Sequence, residues 1–267
     1  MSKEIPLNLD IDNLFISNSK QIDIMMFGAS RPEIFEKTII SFKNHVKFSG
    51  TLYFYIDDGD FDHDNALKVQ EIAKQHNFDG IVINKTGSYG YAITNSFNKY
   101  LKSKYVFFLE DDWECIQDID LDFFWDCLEQ NQQINQIRFN RHENHDTNYY
   151  RDFNKEYFNK HLDMLPYRIT INVNQNEYPF IGSLHWYFNP AIWRTNFIIQ
   201  HWKGFYRNIH HAFNNHLIYK ITQSYNRPSP SAYVHQLGLV TYGDVDHPPF
   251  FKDIGREFSI HTKQGFV

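Results

Sequence analysis

Residues 107–114 read FFLEDDWE. Three apolar side chains run directly into Glu110, Asp111 and Asp112, and Trp113 and a further carboxylate, Glu114, follow. The apolar run predicts a strand that belongs in a core, yet it ends in three adjacent carboxylates. Like charges at close range raise one another's pKa unless a cation or hydrogen-bond donors offset them. A divalent ion resolves that conflict. Oxygen-rich sites suit Mg2+ or Mn2+, which bind through one or two carboxylates and complete their shell with water and substrate phosphates. The stretch therefore predicts a buried strand whose polar end holds a diphosphate through a metal. The plainer alternative is an acidic turn on a solvated face.

Upstream, a pattern of short apolar strand, polar turn and amphipathic helix repeats. IDIMMFG (22–28) predicts a first strand, and RPEIFEKTIISFKNHV (31–46) a helix with Pro32 suited to its first turn. TLYFYIDD (51–58) predicts a second strand, NALKVQEIAKQHN (65–77) a helix and GIVINK (80–85) a third strand. AITNSFNKYLKS (92–103) and KYVFFL (104–109) supply another helix and strand. This alternation predicts an α/β fold with a mostly parallel central sheet and helices on both faces. In such sheets ligands bind outside the carboxyl ends of the strands. Three of the four strands end in polar groups there: GASR (28–31), DDGD (57–60) and EDDW (110–113).

A hydrophobic strand ending in LEDD resembles the metal-binding acidic motif of GT-A-type glycosyltransferases, which use nucleotide sugars. The EDD form is similar to that of the N-acetylglucosaminyltransferase I group. RPEIFEKTIISFKNH (31–45) resembles the first-helix region of family 2 glycosyltransferases, and YIDDGD (55–60) resembles their VDDGS segment. NKTGSYGYAITNSF (84–97) is similar to their glycine- and asparagine-containing stretch before the acidic motif. The likeness spans residues 20–115 and is weak beyond them.

The resemblance implies a GT-A-like (Rossmann-like) fold and transfer of a sugar from a nucleoside-diphosphate sugar, with UDP the expected nucleotide, to an acceptor hydroxyl. It implies Asp112 as the direct ligand of Mn2+ or Mg2+, with Glu110 and Asp111 against the ribose or donor sugar. Asp57 and Asp58 would recognise base or ribose, and Ala29 and Arg31 would hold the nucleotide. Gly87 and Gly90 would let the backbone approach the donor, and Asn95 would lie near it. In YVHQLGLVTYG (233–243), His235 with Gly238 resembles an H-x-x-G element whose histidine completes the metal or diphosphate site. GSLHWYFNPAIWR (182–194) resembles the acceptor-side segment before the relatives' catalytic carboxylate. This chain has Asn189, Pro190 and Trp193 there, which leaves Asp244, Asp246 and Glu177 as candidate bases. Trp186 and Trp193 either stack on the acceptor or pack in the core, and Trp113 is expected to pack and fix the acidic turn.

The second half is less regular. Residues 120–129 predict a helix and 136–141 a strand; PFIGSLHWYFNPAIWRTNFI (179–198) predicts a strand, a turn at Asn189–Pro190 and a helix start. Residues 208–221 predict a further helix, and the tail from Tyr233 to Phe251, with its glycines and paired prolines, predicts a surface loop. The expectation is a single domain over 1–267, with a donor half (1–115) and an acceptor half (116–267). A formal net charge of −6 argues against a broad basic face for nucleic acid. A carbohydrate or another hydroxyl-bearing acceptor is expected, and a modified DNA base stays open. The two cysteines, Cys115 and Cys127, predict free thiols. With no apolar leader and no span of about 18 apolar residues, a soluble, cytoplasmic protein is expected. Two other classes stay in play: a metal-dependent nucleotidyltransferase or phosphoesterase, and a carbohydrate-binding protein without chemistry.

Overall fold

The computed structural model describes residues 20–57, 63–84, 89–142, 168–182, 190–201, 238–243 and 247–255. The first half follows the predicted alternation. Strand β1 (Asp23–Gly28) leads into α1 (Pro32–His45), whose first position is the proline. After the two-residue β2 (Val46–Lys47) come β3 (Leu52–Asp57), α2 (His63–Gln75), β4 (Gly80–Asn84), α3 (Tyr89–Tyr100) and β5 (Tyr105–Glu110). Next come β6 (Trp113–Cys115), β7 (Ile119–Asp120), α4 (Leu121–Gln130), β8 (Gln136–Arg138) and β9 (Arg141–His142). Asp120 caps α4 by accepting the Asp122 N–H at 3.0 Å, which satisfies one of the free amides of the first turn. The remaining elements are β10 (Arg168–Val173), β11 (Asn176–Gly182), β12 (Ala191–Arg194), α5 (Thr195–His201), β13 (Leu239–Tyr242) and β14 (Phe251–Asp253).

Nine strands form one sheet in the order β10-β11-β13-β8-β12-β5-β1-β3-β4. The run β5-β1-β3-β4 is parallel throughout. β12 is antiparallel to both β5 and β8, and β13 runs parallel to β8. Strands from both halves of the chain thus share one sheet. A second, three-stranded sheet has the order β6-β14-β9.

The pleat sorts each buried strand to two sides. Phe54 and Phe107 face α1, stacking on Phe35 (ring centroids 4.2 Å apart) and Phe42 (6.0 Å). Phe108 faces the other way, onto Phe97 of α3 at 5.2 Å, and Tyr53 stacks on Tyr100 of the same helix at 4.3 Å. Helices therefore cover both faces, which is why β5 is a continuous apolar run and does not alternate. Among the described residues no helix is long and apolar enough to cross a membrane. Cys115 and Cys127 are free and buried, and burial pushes each thiol up to about 12.

Two expectations from the sequence are corrected, and a third is decided. AIWR (191–194) is a fully buried strand inserted beside β5, not the approach to a helix; the helix begins only at Thr195. Among its described residues the tail is not all surface loop, because Leu239–Tyr242 is a strand of the large sheet and Phe251 opens a strand of the small one. Of the two readings of Trp193, the core one holds: it is 0% exposed and lies against Phe197, with centroids 5.9 Å apart. The predicted helix at 208–221 and Trp186 lie outside the described residues.

Trp193→Ala is expected to destabilise the chain by about 3–5 kcal/mol in denaturant unfolding, as for other buried tryptophans truncated in a core. A loss below 1 kcal/mol would mean that β12 is not a central strand.

Candidate functional site

From β1 the chain steps through α1 to β3 and through α2 to β4, moving one way across the sheet. It then returns through α3 to β5, on the far side of β1. The strand order reverses between β1 and β5, and it is at such a reversal that the connections diverge and leave a crevice outside the carboxyl ends. Phe27 is in register with Glu110, so GASR and EDDW leave neighbouring strands at the same level, on either side of that crevice.

The acidic turn is fixed from four directions. The Asp111 N–H donates to Phe27 O at 2.8 Å, which continues the β1–β5 ladder past the strand end. Thr38 Oγ1 of α1 donates to Asp111 O at 2.7 Å. The Ile254 N–H, just after β14, donates to Asp112 O at 2.9 Å. Trp113, 4% exposed, packs into the core beneath, as expected from the sequence.

Two glycines make room for the carboxylates. A Cβ on Gly28 would lie 2.6 Å from the Asp111 side chain, and one on Gly255 would overlap that of Asp112. The close approach explains why glycine stands at both positions.

The three carboxylates differ in environment. Glu110 ends β5 half-buried. Asp111 is 1% exposed, with one carboxylate oxygen accepting the Ala29 N–H at 3.1 Å and the other accepting Arg31 Nη2. Asp112 is part-exposed, and its Oδ2 lies 3.2 Å from the same Arg31 nitrogen. Burial pushes the Asp111 carboxyl up to about 6, against the opposing pull of Arg31. Burial by itself would lower the Arg31 guanidinium, but Asp111 and Asp112 beside it outweigh that and hold it above its ordinary value.

What offsets the repulsion in FFLEDDWE is thus first of all an internal cation, Arg31. The sequence reading places Asp111 against the donor; the structure turns it inward, with both oxygens committed to protein donors. Asp112 retains a part-exposed carboxylate. Among the described residues no group of three or more His, Cys, Asp or Glu side chains could enclose a metal. The donor set fits an ion held through the single carboxylate of Asp112, with its shell completed by water and ligand phosphate, and does not fit a closed protein cage.

Of the other expected site residues, only some are described. Asp57 ends β3 in register with Asn84, and Gly90 is in the first turn of α3. Asn95 of α3 lies two strands from β5, donating to Tyr55 Oη at 3.4 Å in an open cleft of about 500 Å³ that Lys99 also lines. Asp58, Gly87, His235, Asp244 and Asp246 lie outside the described residues. Glu177, the third candidate base, is on β11, paired with Asn172 of β10. Thr38, Gly28 and Gly255 are site residues that sequence reasoning missed. A polar residue on the buried face of α1 was a usable signal for Thr38, whereas Gly255 had none, because its partner is 143 positions away.

The fold and the acidic edge define a GT-A-like α/β architecture. No protein-family model matches the chain, and no curated protein matches it. Solved structures do. One is the mannosyltransferase PcManGT from Pyrobaculum calidifontis, in complex with GDP-Man and Mn2+: TM-score 0.52, 8% identity, covering 88% of this chain and 56% of that one. Another is S. aureus TarS 1-349 in complex with UDP-GlcNAc: TM-score 0.50, 10% identity, covering 92% and 62%. The chain therefore spans about three-fifths of the length of these structures. At such identities the likeness is one of fold.

Asp111→Ala is expected to cost about 3 kcal/mol of stability, because it strands Arg31 beside an unfilled buried position. Asp112→Ala, at a part-exposed site, should cost about 1 kcal/mol or less. Denaturant titration of the two variants decides it, and the reverse order would make Asp112 the anchor of the turn.

Proposed function

We propose that the chain is a metal-dependent glycosyltransferase that moves a sugar from a nucleoside-diphosphate sugar, by expectation a UDP-sugar, to an acceptor hydroxyl. The observation that carries this reading is the position of Glu110–Asp112, at the strand-order reversal of a GT-A-like sheet and facing the loop that opens α1. The mannosyltransferase of similar fold is complexed with GDP-Man and Mn2+, and the TarS fragment with UDP-GlcNAc, which supports a nucleotide-sugar ligand for this architecture.

In this reading Asp112 holds Mn2+ or Mg2+, and Asp111 positions Asp112 through their shared arginine. Glu110 faces the donor sugar or ribose, while Asp57 and Asp58 recognise base or ribose. Gly87, Gly90 and Asn95 border the donor, and His235 is a second candidate for the ion. When bound, the ion neutralises charge on the departing diphosphate. The acceptor hydroxyl attacks the anomeric carbon, the bond to the diphosphate breaks, and the hydroxyl proton passes to a carboxylate. Asp244 and Asp246 are the candidates for that base. They follow Gly243 in sequence, and β13 leaves the sheet at the same edge as β5, since both run parallel to β8. Glycans and modified DNA bases both present hydroxyl acceptors of the required kind.

A thermal-shift screen of nucleotide sugars with and without Mn2+ tests the reading. One nucleotide sugar should stabilise the chain only when the ion is present, by about 2.7 kcal/mol at a hundredfold excess over Kd. Asp112→Ala should lose that shift and all Mn2+-dependent donor hydrolysis. Silence across every nucleotide sugar, or full activity of the variant, would remove the assignment.

A further inference from the structure

Arg31 is placed unusually for a residue beside a metal-binding carboxylate. Its Nη2 is hydrogen-bonded to Asp111 and also lies 3.2 Å from Asp112 Oδ2, so one guanidinium nitrogen serves both acids. Its Nε is buried and without a hydrogen-bond partner among the described residues. The side chain as a whole is 27% exposed, while its Nε is buried. The loop before it is short, with the Arg31 N–H donating to Ala29 O at 2.8 Å, and Arg31 is the residue that opens α1. The guanidinium therefore sits beside the acidic turn at the carboxyl end of β1, with one hydrogen-bonding group unused.

Resting on the reading above, we infer that Arg31 is the acidic turn's own counter-cation, and that it keeps a divalent ion off Asp112 until an anionic ligand draws the guanidinium toward itself. Two observations carry this. First, Arg31 itself offsets the repulsion between Asp111 and Asp112, within hydrogen-bonding distance of both carboxylates. A divalent ion approaching Asp112 meets a fixed positive charge in hydrogen-bonding contact with that carboxylate. Second, the buried Nε–H is unpaired in this arrangement, so a turn of the guanidinium away from Asp112 gives up one contact and can gain another. A phosphate in the crevice offers acceptors that match its fork, and its loss from Asp112 would free that oxygen for the ion. Arg31 is in this sense a positioning residue: it sets the order in which ion and diphosphate bind.

The inference predicts coupling of a definite sign. A diphosphate should tighten Mn2+ binding, and by linkage Mn2+ should tighten diphosphate binding by the same factor. Removing the positive charge should raise the affinity for Mn2+ alone, a gain that damage to the site would not produce.

The test measures free Mn2+ by electron paramagnetic resonance at dialysis equilibrium, using the full chain and no sugar donor. Arg31→Gln should bind Mn2+ alone about tenfold more tightly than the wild type, and Arg31→Lys should bind as the wild type does. Inorganic pyrophosphate should tighten Mn2+ binding about tenfold in the wild type and much less in Arg31→Gln. If Arg31→Gln does not fold, the neutral pair Arg31→Gln/Asp111→Asn replaces it, and it too should bind Mn2+ alone more tightly than the wild type. Equal or weaker Mn2+ binding by whichever folded variant lacks the arginine overturns the inference, even where nucleotide sugars still bind. A gain in Mn2+ affinity combined with no response to any nucleotide sugar sustains Arg31's role and removes the donor reading instead.

Discussion

The architecture around the crevice depends on one buried ion pair. A carboxylate at 1% exposure has lost its water, and burial of this kind costs several kcal/mol unless the charge is paired and hydrogen-bonded. Asp111 obtains both: the Ala29 amide on one oxygen and Arg31 on the other. Those partners come from the loop between β1 and α1, and the backbone of Asp111 is held by β1 and by Thr38 of α1. A single residue thus ties the first strand, the first helix and the fifth strand together at the point where ligands bind in sheets of this type. One guanidinium against two carboxylates leaves a negative charge at the mouth of the crevice, and that charge is on the part-exposed member, Asp112.

The second half of the chain completes this arrangement through backbone contacts. β14 pairs with β6 directly after the acidic turn, and Ile254 then closes on Asp112 O. Gly255 is small because the Asp112 side chain occupies the space that a Cβ would need. The turn is therefore clamped between a large sheet that carries its N-terminal side and a small sheet that carries its C-terminal side. Fixing it this way restricts Asp112 before any ligand arrives, which reduces the ordering that binding would otherwise require.

How much of this was legible in the sequence follows from how local each signal is. Strands β1, β3, β4 and β5 stood out as apolar runs separated by helices whose faces could be read, and their boundaries fall within two residues of those expected. β12 was missed because four buried residues, AIWR, offer neither alternation nor length, and the Asn–Pro pair before them reads as a turn in sequence. β13 and β14 were missed for a related reason: Gly238 and Gly243, which suggested a loop, have φ of +69° and +95° and bound a strand of only four residues. In the site, the carboxylates were legible as a local cluster, and their division into an inward Asp111 and an outward Asp112 was not. That division is set by Arg31, some 80 positions away, and nothing in either segment alone shows that they meet.

The layout of the edge also constrains where chemistry can occur. Along the strand direction, Tyr242 stands level with Leu109, through the registers that link β13, β8, β12 and β5. Laterally, β13 is three strands from β5, about 14 Å at the usual strand spacing. The acidic turn and the carboxyl end of β13 are therefore at one height on one edge but separated by the width of β12 and β8. Neither strand places an exposed side chain there: β12 is buried throughout, and β8 is buried at all three positions. In the reading proposed above, a reaction that uses Asp112 on one side and a base from beyond β13 on the other is bridged by its substrates, with the donor reaching outward from the acidic turn and the acceptor inward. Such a division lets the two ends of the edge change independently. In that reading the donor end is fixed by an ion pair in the core of the fold, whereas the acceptor end hangs from short strands.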